Sequence, residues 1–312
     1  MNIQNNVPLA PYSTFKIGGP AEHFIEVKAK EDLIEAIKWA HDNNKKIHIL
    51  GGGSNLLIND AGVKGLVIKL ANEEVKIGDE MMLCGAGLKL NKALKEAALN
   101  NLSGLEWVAG IPGATVGGAI RGNAEALSSP ISKIVESVEV YDVKLEKFKT
   151  MSKEECCFEY RESIFKRNDQ LIVWQAALKM EKTGQEEIKE KMLANLKFRK
   201  GSNPPEPSAG SIFKNVPLKM IEENNKELAE KVKELGIARL GNVGAGLIID
   251  KILSLKGKQI GGAKISELHA NFIVNIGDAS AEDVATLISY IKQQCRDKLG
   301  IQLQEEIQYF GY

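Results

Sequence analysis

The sequence is poor in cysteine and histidine. Its four cysteines, Cys84, Cys156, Cys157 and Cys295, contain no Cys-x-x-Cys, so neither a zinc site nor a thioredoxin-like motif is expected. Its four histidines are scattered and form no His-Glu-x-x-His. A metalloenzyme therefore lacks support, and a reducing, cytoplasmic compartment is expected. Charge of one sign is missing as well: 41 basic residues balance 41 acidic ones. That leaves no electrostatic basis for nucleic acid or an anionic membrane as partner. No apolar run is long enough to span a bilayer. Residues 1–12 have neither a basic n-region nor an apolar h-region, so no signal peptide is expected. Also absent are Gly-x-x-x-x-Gly-Lys-Ser/Thr, which disfavours a P-loop NTPase, and any internal repeat or low-complexity tract. What remains is ordinary for a soluble globular protein, with 44% hydrophobic and 26% charged residues. A chain of 312 residues has room for about two or three domains.

Glycine is present, and it is concentrated. Gly110-Ile111-Pro112-Gly113-Ala114-Thr115-Val116-Gly117-Gly118-Ala119 follows an apolar run, and so does Leu50-Gly51-Gly52-Gly53-Ser54-Asn55. Glycine permits positive φ and close backbone approach, and successive inward N–H groups make an anion-binding nest. Each loop alone reads equally as a tight structural turn. Two of them suggest one dinucleotide diphosphate gripped from two sides. Neither has the Gly-x-Gly-x-x-Gly of a Rossmann site. The pair resembles the FAD-binding domain of the vanillyl-alcohol oxidase and p-cresol methylhydroxylase type, in which two small α/β subdomains clamp the diphosphate.

The rest of the pattern alternates strands and helices. Residues 21–27, 47–50 and 66–70 read as strands, and 31–43 as a helix with Leu33, Ile34, Ile37 and Ala40 at helical spacing. His48, inside an apolar strand, reads as structural. A hairpin is expected around Gly78-Asp79, a helix over 88–99, and strands over 135–143, 147–151 and 171–180. Arg161 lies among aromatics and reads either as a stem over apolar surface or as a fixed cation awaiting a carboxylate. A charged helix over 184–200 leads to the rigid Asn203-Pro204-Pro205-Glu206-Pro207. Small residues then surround Ser211, and no nearby histidine supports a serine hydrolase. A helix over 280–299 is expected to start with Ser280 and Asp283 in a capping box. Alternation over 302–310 predicts a strand that puts Glu306 on the face opposite Ile307.

Thr14-Phe15-Lys16-Ile17-Gly18-Gly19, the two glycine loops, Tyr160-Arg161-Glu162-Ser163, Ser208-Ala209-Gly210-Ser211-Ile212-Phe213-Lys214-Asn215, His269-Ala270-Asn271-Phe272-Ile273-Val274-Asn275 and Leu303-Gln304-Glu305-Glu306-Ile307 occur in one order over essentially the whole chain. On these stretches the chain resembles the UDP-N-acetylenolpyruvoylglucosamine reductase (UDP-N-acetylmuramate dehydrogenase) family, flavoenzymes of peptidoglycan precursor synthesis. The resemblance implies an α+β fold: a two-subdomain FAD-binding domain of the vanillyl-alcohol oxidase type plus a C-terminal α/β substrate-binding domain. The expected boundaries are 1–182 for the first, with subdomains of about 1–72 and 73–182, then a connector helix and Pro-rich segment over 183–207, then 208–312.

The resemblance also implies the chemistry. FAD is held non-covalently, NADPH is the reductant, and the substrate is a UDP-sugar whose enolpyruvyl ether becomes a lactyl ether. Hydride passes from flavin N5 to the methylene carbon, charge collects at the carboxylate, and C2 is protonated. Cofactor contacts are implied at Gly51, Gly52, Gly53, Ser54 and Asn55, and at Gly110, Ile111, Pro112, Gly113, Thr115, Gly117, Gly118 and Ala119. Arg161 takes the carboxylate, Ser211 donates the proton, and Glu306 is the third catalytic residue. Tyr160, Lys214 and Asn215 contact substrate. Glu305 stands where the family commonly has proline, so a register one residue off is the alternative. Glu125, Leu127 and Val216 also depart from the family pattern. A monomer without membrane insertion is expected. The other readings are a flavin oxidase of the same superfamily acting on an alcohol or sugar with O2, and a flavin-binding protein without catalysis.

Overall fold

A computed structural model describes residues 2–312, which form two compact units. The first runs up to Val7 and takes in Ala21–Gly53 and Val63–Gly201. The second combines Pro8–Pro20, Ser54–Gly62 and Ser202–Tyr312. Each has its own apolar core.

The first unit contains two main sheets. One has the order Gln4–Pro8, Pro20–Val27, Val63–Leu70, Ile47–Leu50, and its last three strands are parallel. A parallel pairing needs a crossover, which helix α1 (Lys30–Asp42) supplies. Its Leu33, Ala36, Ile37 and Ala40 are buried, at the spacing of one helix face. Each buried Leu or Ile contributes about 1.5–3 kcal/mol. The first glycine loop leaves this sheet at Leu50, the C-terminal end of a parallel strand, where open α/β sheets place ligands. The other sheet is antiparallel, ordered Lys147–Ser152, Val135–Asp142, Leu171–Lys179, Met81–Gly85, Val75–Ile77. Its last two strands form the hairpin expected at Gly78-Asp79. Helices α2 (Leu90–Leu99) and α3 (Val116–Gly122) belong to this half, and α3 packs on Leu171–Lys179 and Met81–Gly85.

The second unit is built on an antiparallel sheet ordered Ser208–Ser211, Phe272–Asn275, Ala263–Ile265, Gln259–Ile260. Helix Ala281–Leu299 buries Val284, Leu287, Ile288, Ile291 and Cys295. Its start is the expected capping box. Asp283 N–H donates to Ser280 Oγ and Ser280 N–H to Asp283 Oδ2, both at 3.0 Å. Such a cap is worth about 1 kcal/mol. The backbone N–H of Ser280 holds the Asp283 carboxyl below its usual range.

The units depart from the contiguous boundaries expected from sequence. Phe15, Ile17 and Leu57 belong to the second core. Thr14 Oγ1 donates to the Ser208 carbonyl at 2.8 Å and Asn275 Nδ2 to the Phe15 carbonyl at 3.2 Å. Leu56–Ile58 pairs in parallel with Gln308–Phe310. Helix Gln185–Ser202 lies almost wholly in the first unit, with Ile188 buried there.

The strand expected over 302–310 is also corrected: only Gln308–Phe310 is formed. Glu306 and Ile307 both direct their N–H groups at the Ile212 carbonyl, at 2.7 and 3.4 Å. Two residues opposing one is the pattern of a β-bulge, and it breaks period-two alternation.

Candidate active site

Within the first unit the two glycine loops abut. A Cβ on Gly52 would fall 1.9 Å from the Gly113 carbonyl oxygen, and one on Gly51 would fall 2.9 Å from Thr115 Oγ1. Only bare backbone fits such an approach. Among the described residues the N–H groups of Gly51 and Gly52 enter no hydrogen bond. Gly118 N–H has only a long contact, 3.4 Å, to Thr115 Oγ1. Backbone donors gathered on touching loops suit a diphosphate, and Gly51, Gly52 and Gly118 present such donors here. Other expected contacts turn inward. Ile111 N–H bonds the Val108 carbonyl, Ala119 N–H the Thr115 carbonyl and Gly117 N–H the Ala86 carbonyl, each at 2.9 Å. A Cβ on Gly117 would sit 2.8 Å from Ala86 Cβ, so that glycine lets α3 lie against the chain at Ala86.

Sequence reading missed what holds the second loop. Arg199 donates through Nε to the Ala109 carbonyl at 2.8 Å and through Nη2 to the Trp107 carbonyl at 2.6 Å. Asn195 Nδ2 donates to the Glu106 carbonyl at 2.9 Å. The i, i+4 spacing of these two side chains on one helix face was the available signal. Together they fix the approach to Gly110, whose φ of +82° also requires glycine.

Helix α3 links that loop to Arg161. Near its end, Asn123 Nδ2 donates to the Glu159 carbonyl at 2.8 Å, and Ser163 Oγ donates to the Arg121 carbonyl at 2.6 Å. Between these ties Glu159 and Glu162 exchange backbone hydrogen bonds of 3.0 and 3.2 Å, closing a tight turn with Tyr160 and Arg161 at its tip. Arg161 has φ +57°, uncommon for a residue with a side chain. Its guanidinium carbon lies 5.9 Å from the Tyr160 ring centroid, within cation–π range. The family departure at Leu127 falls on a neighbouring hairpin that pairs Ala126 with Ser129. Leu127 and Ser128 have φ +52° and +61°, where Asn-Gly is the favoured pair.

The second unit gathers Ser211, Lys214 and Glu306. Ser211 pairs with Phe272 after a register slip within Ser208–Ser211. Gly210 sits at φ +79° with nothing within 4 Å of a Cβ, so glycine serves the backbone conformation there and not clearance. Beyond Ser211 the chain is clamped. Asn271 Oδ1 accepts Phe213 N–H at 3.0 Å, Asn271 Nδ2 donates to the Phe213 carbonyl at 2.9 Å, and Ile212 N–H donates to the Asn271 carbonyl at 2.8 Å. That is the physical work of the asparagine in the His-Ala-Asn stretch. The Ser211 hydroxyl makes no hydrogen bond among the described residues. Lys214 N–H donates to the Gln304 carbonyl at 2.8 Å, which lays the serine segment beside the C-terminal one. The two candidate carboxylates differ: Glu305 Oε1 accepts Lys292 Nζ at 2.5 Å, so Glu305 is held to helix Ala281–Leu299. Ser54 and Asn55 fall in this unit, where Asn55 bonds the Glu306 backbone. Asn215 is exposed.

The thiols are not part of either arrangement. Burial pushes Cys84 and Cys156 up to about 12 and Cys295 up to about 11, and Cys157 is exposed. Among the described residues no group of three or more His, Cys, Asp or Glu could hold a metal ion, and no helix is long and apolar enough to cross a membrane.

Residues 21–146 match the FAD binding domain, and residues 203–310 match the UDP-N-acetylenolpyruvoylglucosamine reductase C-terminal domain. The protein named UDP-N-acetylenolpyruvoylglucosamine reductase from Solibacter usitatus is 35% identical over 99% of this chain and 97% of its own. Those from Anoxybacillus flavithermus and Bacillus subtilis are 38% and 37% identical, over 99% and 98% of this chain and 94% and 93% of theirs. The crystal structure of UDP-N-acetylenolpyruvylglucosamine reductase from Thermus caldophilus aligns with a TM-score of 0.78 at 35% identity, covering 99% of each chain. The expected fold class and the expected FAD both stand. With an FAD-binding domain in its first half and full-length relatives of one name, the chain is an oxidoreductase that belongs to the UDP-N-acetylenolpyruvoylglucosamine reductase family.

Proposed function

We propose that the protein reduces the enolpyruvyl ether of UDP-N-acetylglucosamine to UDP-N-acetylmuramate, with NADPH as the source of reducing equivalents, in peptidoglycan precursor synthesis. The observation that carries this reading is the pairing of segment 211–214 with segment 304–306, which puts a hydroxyl acid and a carboxylate on neighbouring backbone. Oxidation of an alcohol or sugar by O2 has no use for such a proton donor.

FAD bound at the glycine loops would supply the hydride equivalent for the enolpyruvyl methylene carbon. The chain's own residues handle the charge and the proton. Arg161 meets the substrate carboxylate, where negative charge grows as C2 becomes carbanionic. Its planar fork matches a carboxylate, and fixed charge of this kind is usually the largest catalytic contribution. The closed turn at Glu159 and Glu162 holds the fork on a short tether. Ser211 delivers the proton to C2. A hydroxyl is a weak acid, so it serves only a strongly basic centre from which water is excluded. Glu306 is the third catalytic residue, and Tyr160, Lys214 and Asn215 are substrate contacts.

Under anaerobic conditions NADPH is expected to bleach the flavin absorbance, and the enolpyruvyl UDP-sugar to restore it mole for mole. Restoration by O2 alone, with bleaching by alcohols or sugars, would replace this reading with the oxidase.

The cradle has its own test. Gly118 is exposed, and a Cβ there meets only Thr115 Oγ1 at 3.4 Å. Gly118→Leu is therefore expected to yield an apoprotein as stable to heat as the parent, yet colourless, because the side chain covers the donors. Gly122→Leu, with nothing within 4 Å of its Cβ, is the control that stays yellow. A fully flavinated Gly118→Leu protein would remove the diphosphate assignment.

A further inference from the structure

Asn55 follows Gly51, Gly52, Gly53 and Ser54, and sequence reading gave it to the cofactor. In the structure its side chain does something else. Asn55 Nδ2 donates to the Glu306 carbonyl at 3.1 Å, bridging 251 positions of chain. The Asn55 carbonyl accepts Gln308 N–H at 3.0 Å. Leu56–Ile58 then runs on as a parallel strand beside Gln308–Phe310.

Glu306 is thus held on both sides of its Cα. Its N–H goes to the Ile212 carbonyl at 2.7 Å, next to Ser211. Its carbonyl takes the Asn55 amide. The bulge makes the second tie matter. Ile307 N–H reaches Ile212 only at 3.4 Å, so a regular ladder does not set the peptide that follows Glu306. The other donor to that carbonyl, Gln308 Nε2, is divided between Glu306 and Ile307 at 3.1 and 3.3 Å. Asn55 provides the undivided bond from outside the segment. With the peptide before Glu306 anchored at Ile212 and the peptide after it anchored at Asn55, both φ and ψ of Glu306 are set and its Cα–Cβ bond has one direction; releasing the second anchor lets the Cα tilt and carries the side chain with it.

We propose that Asn55 is a positioning residue for Glu306: its amide fixes the peptide after the catalytic carboxylate and so aims that carboxylate. The proposal rests on the catalytic role given to Glu306 above.

The test uses the flavinated enzyme carrying Asn55→Ala or the isosteric Asn55→Asp, alone and combined with Glu306→Gln. Both single variants are expected to keep stoichiometric FAD and near-parent flavin reduction by NADPH. Reoxidation by the enolpyruvyl substrate should slow by about 10- to 100-fold, the usual effect of a misplaced group, with kcat falling and KM nearly unchanged. In the Glu306→Gln background the same changes should add less than about twofold, since the group they aim is already gone. Loss of flavin from the Asn55 variants would make Asn55 a cofactor contact and overturn the proposal. A slow Glu306→Gln enzyme with fully multiplicative Asn55 effects would overturn it alone. Parent-like turnover by Glu306→Gln would remove the Glu306 role first and this proposal with it.

Discussion

Ser211→Ala is expected to bind FAD and accept reducing equivalents from NADPH as the parent does, while its reoxidation by the enolpyruvyl substrate slows by about 10²–10⁴-fold, the contribution of a positioned acid. The geometry makes this a clean substitution. The Ser211 hydroxyl has no hydrogen-bond partner among the described residues, so removing it orphans no buried group. The backbone on either side is set by Gly210 at φ +79° and by the Asn271 clamp on Phe213, neither of which involves the side chain. Folding stability should therefore change little, and the rate loss reports chemistry. Ser211→Cys should recover part of the rate, because a thiol in the same place is a stronger acid than a hydroxyl. A serine that only packs beneath the substrate predicts the opposite order, with Ala tolerated and the bulkier Cys worse. Rapid-mixing absorbance at the flavin band, with each half-reaction run separately, separates the two. Reoxidation of the Ala variant at the parent rate would end the proton-donor assignment.

Glu306→Gln is expected to slow the same half-reaction by about 10²-fold or more, while Glu305→Gln changes it by no more than a few-fold. Alternation along a strand is no reason for choosing between the two, because the bulge at Glu306 and Ile307 breaks it. The structure supplies a better one. Glu305 is tied to Lys292, so its loss breaks a partly buried ion pair, in which the Lys292 side chain is 31% and that of Glu305 17% exposed. It should appear as a small drop in thermal stability, and Lys292→Met should reproduce it. Steady-state turnover and melting temperature on the three variants decide the matter. Equal rate losses for both carboxylates, or the greater loss at Glu305, would move the catalytic role.

What could be read from sequence was local. Helix α1 and helix Ala281–Leu299 are legible because their buried residues recur at helical spacing and, for the second, because Ser280 and Asp283 mark its start. The hairpin at Gly78-Asp79 and the glycine loops are legible because their backbone needs glycine. What could not be read joins distant segments. Nothing near Phe15, Ile17 or Leu57 says that these residues pack with residues beyond 202. Asn271, Arg199 and Asn55 act by bonding main-chain atoms far along the chain, and an amide or guanidinium carries no mark of which carbonyl it will meet. The misread strand over 302–310 failed for a related reason: Leu303 and Ile307 are both buried, as alternation requires, yet an extra residue enters between them and the partner strand. Of the expected cofactor contacts, the Ile111, Gly117 and Ala119 N–H groups serve the fold. A glycine needed for helix packing looks the same in sequence as one needed for a phosphate.

The parallel pairing of Leu56–Ile58 with Gln308–Phe310 also bears on how the protein is made. Asn59 Nδ2 meets the Gly311 carbonyl across 252 positions, and the second core draws on three separate stretches of chain. Translation proceeds from the N-terminus at about 5–20 residues per second. Every segment of the first unit has been made once Gly201 emerges, so that unit can fold while synthesis continues. Leu57 and its neighbours must then wait a further ~5–20 seconds for their strand partner at that rate, exposing a short apolar edge meanwhile. Closing so long a loop adds an entropic barrier, and folding slows as contacts become more distant in sequence. Completion of the second unit is therefore expected to trail that of the first during synthesis, with the edge at Leu56–Ile58 unpaired until Gln308–Phe310 is made.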